Sequence, residues 1–412
     1  MKKEIKCDLC NHNNLLEFLN LKQQPLANKY PKKDEFKNEE FFPLKVLFCE
    51  NCKNVQLGHK VSRNRMFENY FYLSSVNKGL VRYFEGLAKE LKDSNFVVDI
   101  GSNDAILLKP LKKLGVDCLG VDPSDVGKLA NDLGFTTIVS FFNEDCVNKI
   151  IKEYRKPDTI VCSSTFTHLE DPHDFIKNLK RLLREDGKFL VEVEYVGNFI
   201  KNVQFERFYL DRIFYYSLTS LKNLFKQYDM DVVDVEEIDV HGGSLKVTIY
   251  NSSQKKQPSQ RIIDWLKKEE TELTVEVLRE FKNIVKENIE LFKNKLIEYK
   301  EKGLRVCGYG SPARVSTICN YGKIDETLIK FTVDDSPLKC GKNTPGTHIP
   351  IVSKEVLEEY DPDIIIMFAY EYFEDIKKKL NKKYKFLLPI PPKEIDDRID
   401  EEDYSFGDHI IS

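Results

Sequence analysis

Four cysteines near the start of the chain are spaced as metal ligands. Cys7 and Cys10 form one C-x2-C pair, and Cys49 and Cys52 form a second pair about 40 residues later. Each such turn presents two thiolates on one side, so two turns together can complete a tetrahedral shell of sulfur around zinc. Four thiolates leave no coordination position for water or substrate. We therefore predict a zinc ion with a structural role.

A polar loop follows a run of apolar residues in the segment FVVDIGSNDAILL, residues 96–108. Asp99 ends the predicted strand, and Gly101 stands at the turn that follows, where glycine lets the backbone pass close to a ligand. Asp122 comes 23 residues after Asp99, at the end of the next predicted strand. A carboxylate at that place can accept hydrogen bonds from both hydroxyls of a ribose. The spacing therefore predicts a site for a nucleoside-containing cofactor.

The composition of this loop favours S-adenosylmethionine (SAM) over a nicotinamide dinucleotide. The loop lacks the G-x-G-x-x-G pattern that holds a diphosphate, and it carries polar side chains suited to a charged amino acid. The predicted cofactor-binding residues are Asp99, Gly101, Ser102, Asn103, Asp122 and Pro123.

A second glycine-rich loop occurs in LRVCGYGSPARV, residues 304–315, again between a predicted strand and a predicted helix. Backbone amides at such a loop can cradle a diphosphate, and Arg314 can pair with it. Asp334 and Asp335 end the next predicted strand, where a ribose would be bound. The predicted substrate-binding residues are Gly308, Gly310, Ser311 and Arg314, together with Tyr70 and Ser244.

The elements that would position these loops alternate between strand and helix from residue 96 onward. Such alternation predicts a parallel sheet covered by helices, completed by a hairpin over residues 231–250. Residues 258–302 are charged and periodic, which predicts helix. The strand, glycine loop and helix that follow predict a second α/β domain.

Charge and apolar content exclude several classes of partner. The chain has 63 basic and 67 acidic residues in a mixed order, without a basic stripe, which argues against nucleic acid. It has no run of about 18 apolar residues that would span a membrane, and its N-terminus lacks the pattern of a signal peptide. Six cysteines are scattered singly, which is typical of a reducing compartment. We expect a cytoplasmic monomer or weak homodimer.

The loop V-D-I-G-S-N-D resembles the E-I-G-S-N-D-G loop of the SAM-dependent sugar C-methyltransferases. Similar segments occur over nearly the whole chain: YFYLSS at 70–75, HGGSLKV at 241–247, GYGSPAR at 308–314 and CGKNTPGTHIPI at 340–351. The resemblance implies a nucleotide-linked 4-keto-deoxysugar as substrate. One departure is Ala105, where the family usually has glycine; we expect it on the first turn of a helix.

The resemblance implies a fold in three parts. We predict an α/β protein with a Rossmann-like class I methyltransferase sheet, preceded by a small zinc-binding module and followed by a second Rossmann-like α/β domain. The predicted boundaries are 1–65 for the zinc module, 66–255 for the methyltransferase domain, 256–302 for a helical connection and 303–412 for the C-terminal domain.

Methylation of carbon next to a ketone needs a base for the α-proton and donors for the enolate oxygen. The resemblance implies that a Tyr-His-Glu-His motif carries much of this chemistry. The corresponding residues here are Tyr209, Leu210, Asp211 and Arg212, so both histidines are absent. Arg212 stands where the family's base would be, and arginine stays protonated at any working pH.

Another residue must then take the proton, or the reaction must differ. The candidates for the base are His168 and Tyr209, with His241 and Tyr72 behind them. One alternative is O-methylation of a sugar hydroxyl, which needs only a modest base, on a heptose or a sugar with a hydroxyl or acid group near Arg212. A protein that binds SAM and a nucleotide-linked sugar without catalysis is a further alternative.

Overall fold

The computed structural model describes residues 5–63, 65, 73–240 and 242–398. Tyr70, Tyr72 and His241, three of the predicted site residues, lie outside the described residues. Within the described ranges the chain forms three sheets, of four, seven and six strands. None of the helices in these ranges combines the length and apolar character that crossing a membrane requires.

The first sheet carries the cysteine pairs. Its antiparallel strands are β1 (Leu16–Pro25), β2 (Phe41–Phe48), β3 (Val55–Leu57) and, from much later in the chain, β9 (Phe214–Tyr215). Leu16, at the start of β1, pairs with Phe48 at the end of β2. The chain segments that precede β1 and follow β2 therefore lie at one end of the sheet, which brings the two C-x2-C turns together.

The central sheet has the predicted class I order. Its strands are β4 (Phe96–Ile100), β5 (Asp117–Val121), β6 (Thr137–Ile138), β7 (Thr159–Ser163), β8 (Lys188–Glu194), β10 (Met230–Ile238) and β11 (Ser244–Asn251). They are arranged β10-β11-β8-β7-β4-β5-β6. The neighbours from β6 to β8 are parallel, whereas β11 is antiparallel to both β8 and β10. The hairpin predicted over 231–250 is therefore confirmed.

Helices connect these strands, and most bury one apolar face against the sheet. They are α1 (Lys78–Glu90), α2 (Leu108–Lys113), α3 (Asp125–Asp132), α4 (Glu144–Glu153), α5 (Pro172–Leu182), α6 (Val196–Lys201) and α7 (Leu218–Lys226). In α5, Asp171 caps the N-terminus by accepting from the amides of His173 and Asp174, and proline opens the first turn.

The helix after the cofactor loop begins later than the sequence predicts. Asn103 and Ala105 have φ angles of +49° and +65°, and the helix starts only at Leu108. A residue in the left-handed region cannot belong to a right-handed α-helix. The placement of Ala105 on the first turn of a helix was therefore wrong, and a glycine there would adopt this angle at less cost.

The C-terminal part begins with two helices, α8 (Gln260–Glu272) and α9 (Val275–Glu301). The third sheet and its helices follow: β12 (Val306–Tyr309), α10 (Ala313–Gly322), β13 (Thr332–Val333), β14 (Ile351–Val352), α11 (Lys354–Tyr360), β15 (Ile364–Met367), α12 (Phe373–Lys379), β16 (Lys385–Pro389) and β17 (Pro392–Asp396). The order is β14-β13-β12-β15-β16-β17, parallel except for β17. Short 3-10 segments, among them Phe166–His168 and Phe205–Arg207, lie between the main elements.

One hydrophobic core joins all three parts of the chain. Phe18 of β1 lies with its ring centroid 6.1 Å from that of Phe208 and 6.1 Å from that of Phe281 in α9. The same cluster continues into Ile318 of α10. The first sheet therefore packs against both the methyltransferase part and the C-terminal part.

Candidate active site

The four cysteines converge as predicted. Their Sγ atoms all lie within 4.8 Å of one another, with 3.6 Å between Cys7 and Cys52 and 3.6 Å between Cys10 and Cys49. A zinc–sulfur bond of about 2.3 Å gives sulfur–sulfur edges of about 3.8 Å in a tetrahedron, so the cluster fits the ion. Three of the thiols are buried and none is in a disulfide. These residues would hold zinc in a closed shell that stabilises the module.

The cofactor loop is held across the ends of β4 and β5. Gly101 has a φ angle of +81°, and its N–H donates to the Val121 carbonyl over 2.7 Å. A Cβ at Gly101 would overlap Oγ1 of Thr165. The Asn103 amide donates to Oδ2 of Asp122 over 2.9 Å. The glycine and the carboxylate therefore form one turn at the carboxyl ends of adjacent strands, where α/β sheets bind ligands.

The residues of this loop do not all face outward. Asp99 and Ser102 are buried, and the Ser102 hydroxyl lies against Gly120 of β5, whereas Pro123 is exposed. Burial, with a smaller effect of Glu192 and Asp122, raises the pKa of Asp99 to about 8. Asp99 beneath the turn therefore keeps its proton near neutral pH and can donate a hydrogen bond. The donor set therefore fits this cofactor, whose ribose and amino acid would be held by the loop and by Asp122.

Ser74 and Ser75 contact the cofactor loop through hydrogen bonds from their backbone amides. The Ser74 amide donates to Oδ1 of Asn103 over 2.9 Å, and the Ser75 amide donates to Oδ2 of Asp104 over 3.1 Å. These contacts fix the side chains of Asn103 and Asp104, and they place Ser74 and Ser75 beside the cofactor loop.

His168 lies just past the end of β7 in a fixed orientation. Its Nδ1 is 2.5 Å from the backbone carbonyl oxygen of Asp211. A carbonyl only accepts, so Nδ1 carries the proton and the lone pair is on Nε2. Burial, followed by the charge of Arg212, lowers the pKa of His168 to about 4. The imidazole is therefore neutral at working pH, the state that a general base requires.

Arg212 forms a buried ion pair with Glu194 at the end of β8. Glu194 is 1% exposed in its side chain, and the guanidinium lies 5.0 Å from the ring centroid of Tyr209. The charge of Arg212 is thus balanced within the protein, and the site does not require an acid group on the substrate. Burial raises the pKa of Tyr209, so its phenol keeps its proton and can donate a hydrogen bond.

The second glycine loop has the same construction as the cofactor loop. Gly310 has a φ angle of +91°, and its N–H donates to the Val333 carbonyl over 2.7 Å. The Ser311 amide donates to Oδ2 of Asp334 over 2.8 Å. The buried Ser311 hydroxyl and the buried Nη1 of Arg314 have no partner among the described residues.

Three of the predicted substrate-binding residues make contacts within the protein itself. Gly308 lies inside β12, where a Cβ would be 2.9 Å from Phe368, so it is a packing position and not part of the cradle. The Ser244 hydroxyl donates to the Val240 carbonyl over 2.8 Å and is buried, so it shapes its own turn. Arg314 donates to Glu371 over 2.9 Å and is also only partly available to a ligand.

A chain of contacts links the methyltransferase part to the C-terminal part at this point. Glu371 binds both Arg314 and Arg207, and Tyr370 donates to Glu206 over 2.5 Å. Burial raises the pKa of Glu371, but the two arginines outweigh it and lower the pKa to about 2. The carboxylate is therefore ionised, and it fixes both arginines beside the second loop.

Several residues of the site had no prediction from the sequence. Glu194, Asn28 and Tyr30 all lie near the Tyr209–Arg212 segment. Glu194 could have been noticed in the sequence, because the otherwise apolar strand KFLVEVE ends on an acidic residue. No pattern in the sequence pointed to Asn28 or Tyr30, because these residues come close to the site only through tertiary contacts.

The central sheet, with its glycine turn and carboxylate at adjacent strand ends, defines a SAM-dependent methyltransferase. Family models match the chain in three consecutive parts: a zinc binding domain over residues 7–67, a methyltransferase domain over 72–235 and a C-methyltransferase C-terminal domain over 239–391. These three models follow one another along the chain and together span residues 7–391 with short gaps between them.

Individual proteins are similar to the whole chain or to part of it. C-methyltransferase NovU of Streptomyces niveus is 29% identical over 400 residues, which are 94% of this chain and 95% of that protein. A ubiquinone biosynthesis O-methyltransferase of Glaesserella parasuis is 28% identical over 106 residues, 23% of this chain and 43% of that protein. The solved structure of magnesium protoporphyrin IX methyltransferase from Synechocystis PCC 6803 with bound SAM has 12% identity and a TM-score of 0.31, over 43% of this chain and 79% of that one.

Proposed function

We propose that this enzyme transfers the methyl group of SAM to a carbon next to the ketone of a nucleotide-linked sugar, with His168 as the base. The observation that carries the proposal is the orientation of His168. Its Nδ1 is held by the Asp211 carbonyl, and its Nε2 carries the lone pair of a neutral imidazole. Such a group can accept an α-proton although the family's histidine is replaced by Arg212.

The residues around His168 supply the remaining needs of this reaction. Bound SAM provides an electrophilic methyl carbon and leaves as S-adenosylhomocysteine. Nε2 of His168 accepts the proton, and the electron pair of the C–H bond passes into the enolate. The Tyr209 phenol can donate to the enolate oxygen, and the Glu194 carboxylate favours the imidazolium that forms. The proton can later pass from Nε2 to solvent.

A nucleotide-linked sugar is the acceptor class that the second glycine loop supports. Its helix α10 is ten residues long and begins beside backbone amides and two buried donor groups, Ser311 Oγ and Arg314 Nη1. Groups of this kind bind phosphate oxygens. A diphosphate there would leave the sugar to extend toward His168, because Tyr30 contacts Ser311 and also lies near Tyr209.

O-methylation of a sugar hydroxyl is the second candidate. A single neutral imidazole is the observation that favours it, because deprotonation of a hydroxyl during transfer needs only one modest base. The two candidates share the same cofactor and the same base, and they differ in the atom that receives the methyl group.

The test is turnover with a panel of acceptors. The purified enzyme is incubated with SAM and with nucleotide-linked 4-keto-deoxysugars, other nucleotide sugars and heptoses, and both S-adenosylhomocysteine and product mass are measured. We expect release of S-adenosylhomocysteine and a gain of one methyl with a 4-keto acceptor. If the product gains a methyl group only with acceptors that lack a ketone, the result would favour O-methylation. Binding of SAM without release in any reaction would contradict catalysis.

A further inference from the structure

A loop of the zinc module reaches the methyl-transfer site. This loop, residues 26–31, leaves the end of β1 and contacts both other parts of the chain. The Asn28 side-chain amide donates to Oδ2 of Asp211 over 2.6 Å, and the Tyr30 hydroxyl donates to the Ser311 carbonyl over 2.7 Å. The Pro31 carbonyl accepts from the Asn343 amide over 2.9 Å. The loop is thus anchored on the catalytic segment and on the second glycine loop.

The contact of Asn28 satisfies a buried carboxylate. Asp211 is 6% exposed, whereas Asn28 is exposed. A buried carboxylate that lacks donors is costly, and a charge-assisted hydrogen bond of this length is among the stronger polar contacts. Asn28 therefore holds the Asp211 side chain in one place.

Asp211 also orients His168, the proposed base. Its backbone carbonyl is the acceptor for Nδ1 of His168. The position of this one residue thus depends on Asn28 through its side chain, and it determines the orientation of His168 through its main chain. A displacement of about 1 Å in a reacting group can cost roughly 100-fold in rate.

We propose that Asn28 is a positioning residue of the methyl-transfer reaction, which makes the zinc module a contributor to the reaction centre. This inference rests on the proposed role of His168 as base. Asn28 touches neither reacting atom; it acts through Asp211. The zinc-bound module then serves turnover in addition to folding.

The environment of the Asp211 carboxyl makes the proposal testable by pH. Burial raises the pKa of Asp211, and the hydrogen bond from Asn28 and the charge of Arg212 act against this increase. The other titratable groups nearby are His168, Tyr209 and Tyr30. Asn28→Asp replaces the side-chain amide by a carboxyl group of nearly the same size. It therefore adds one titratable group to this cluster.

The experiment compares Asn28→Ala and Asn28→Asp with Lys29→Ala, a change of the exposed neighbour in the same loop. For Asn28→Ala we expect a loss of roughly 100-fold in kcat. SAM affinity and zinc content should stay close to those of Lys29→Ala, and Tm should fall by only a few degrees through the loss of one donor to Asp211. For Asn28→Asp we expect a pH–rate profile that is displaced toward acid. A protonated carboxyl group introduced at position 28 can donate to Asp211, but two adjacent carboxylates cannot both ionise at ordinary cost.

A second measurement does not need an acceptor. The 15N signals of His168 in the ligand-free enzyme report which ring nitrogen carries the proton. We expect Nδ1 protonation in the wild type and in Lys29→Ala, and mixed tautomers in Asn28→Ala.

The outcomes separate this inference from the proposed function. If no acceptor turns over in the wild type, the proposed function fails and the 15N signals alone decide the role of Asn28. Equal kcat in Asn28→Ala and Lys29→Ala would overturn the inference, as would an unchanged His168 tautomer. A loss of kcat in step with zinc content and Tm, without an acid displacement in Asn28→Asp, would also overturn it.

Discussion

At the scale of single residues, the proposal assigns proton acceptance to His168, because Arg212 stands where the resemblance implies a histidine. Burial and, to a smaller extent, the charge of Arg212 lower the pKa of His168 to about 4, so the imidazole is neutral. Arg212 itself pairs with Glu194 and cannot act as a base.

Removal of the His168 imidazole should abolish most turnover. We expect His168→Gln to lower kcat by about 100- to 10,000-fold, because the acceptor loses its base. SAM affinity, measured by calorimetry, should remain within a few-fold of the wild type. The exposed His12 provides a matched control, since His12→Gln should leave both quantities unchanged. Turnover by His168→Gln close to that of His12→Gln would contradict this role.

Asp99 should make the stability of the ligand-free enzyme decline with pH. Its pKa is raised from 3.8 to about 8 by burial and, less, by Glu192 and Asp122, so the folded state keeps a proton that the unfolded state loses in this window. Stability is then fully present below about pH 4 and is lost as pH rises toward 8. Thermal unfolding of Asp99→Asn should show a smaller decline over this range. An equal decline in both proteins would refute the assignment.

The residues that could be predicted from the sequence are those whose spacing is local. The cysteine pairs and the Gly101–Asp122 spacing each reflect one turn or one strand–helix–strand unit. By contrast, Asn28 and Asp211 are 183 positions apart, and Tyr30 and Ser311 are 281 apart. No periodicity or motif connects such pairs, because only the packing of whole parts brings them together.

At the scale of elements, the two glycine turns have the same construction. Both place a glycine with positive φ at the end of a strand and an acidic residue at the end of the next one. The parallel direction of the strands followed from the strand–helix alternation, since parallel strands need crossovers. The late start of α2 could not be predicted in this way. The residue types of Asn103 and Ala105 do not by themselves indicate the left-handed backbone angles that these two positions adopt.

Gly310→Ala should weaken binding of the acceptor and leave SAM binding intact. A methyl group there would lie 2.5 Å from Cβ of Ala369, in addition to the strain of the φ angle of +91°. Gly341→Ala is the matched control, since Gly341 has a φ of +82° but a Cβ there meets nothing within 4 Å. We expect an increase in the acceptor KM only for Gly310→Ala. A similar KM in both variants would show that the second loop does not hold the acceptor.

At the scale of the whole molecule, the three parts are one unit around a shared site. Strand β9, which comes from the methyltransferase part, pairs with β3 in the first sheet. The loop of residues 26–31 contacts both Asp211 and Ser311. The cysteine cluster, the cofactor loop and the second glycine loop therefore belong to one packed structure.

The shared core predicts that a change in the zinc module destabilises the whole chain. Phe18 is 2% exposed and lies between Phe208 and Phe281. We expect Phe18→Ala to cost about 3–5 kcal/mol in the free energy of unfolding, measured in urea. Phe41→Ala, at a side chain 45% exposed, should change it by less than about 1 kcal/mol. An unfolding transition of the zinc module separate from the rest would contradict a common core.

The fate of the α-hydrogen tests the central claim most directly. A nucleotide-linked 4-keto-deoxysugar labelled with deuterium at the carbon next to the ketone is incubated with the enzyme and SAM, and the methylated product is analysed by mass spectrometry. The account predicts that each product molecule gains one methyl group and loses one deuterium from the methylated carbon. A product that gains the methyl group and keeps all of its deuterium would contradict it, because the methyl group would then be on oxygen.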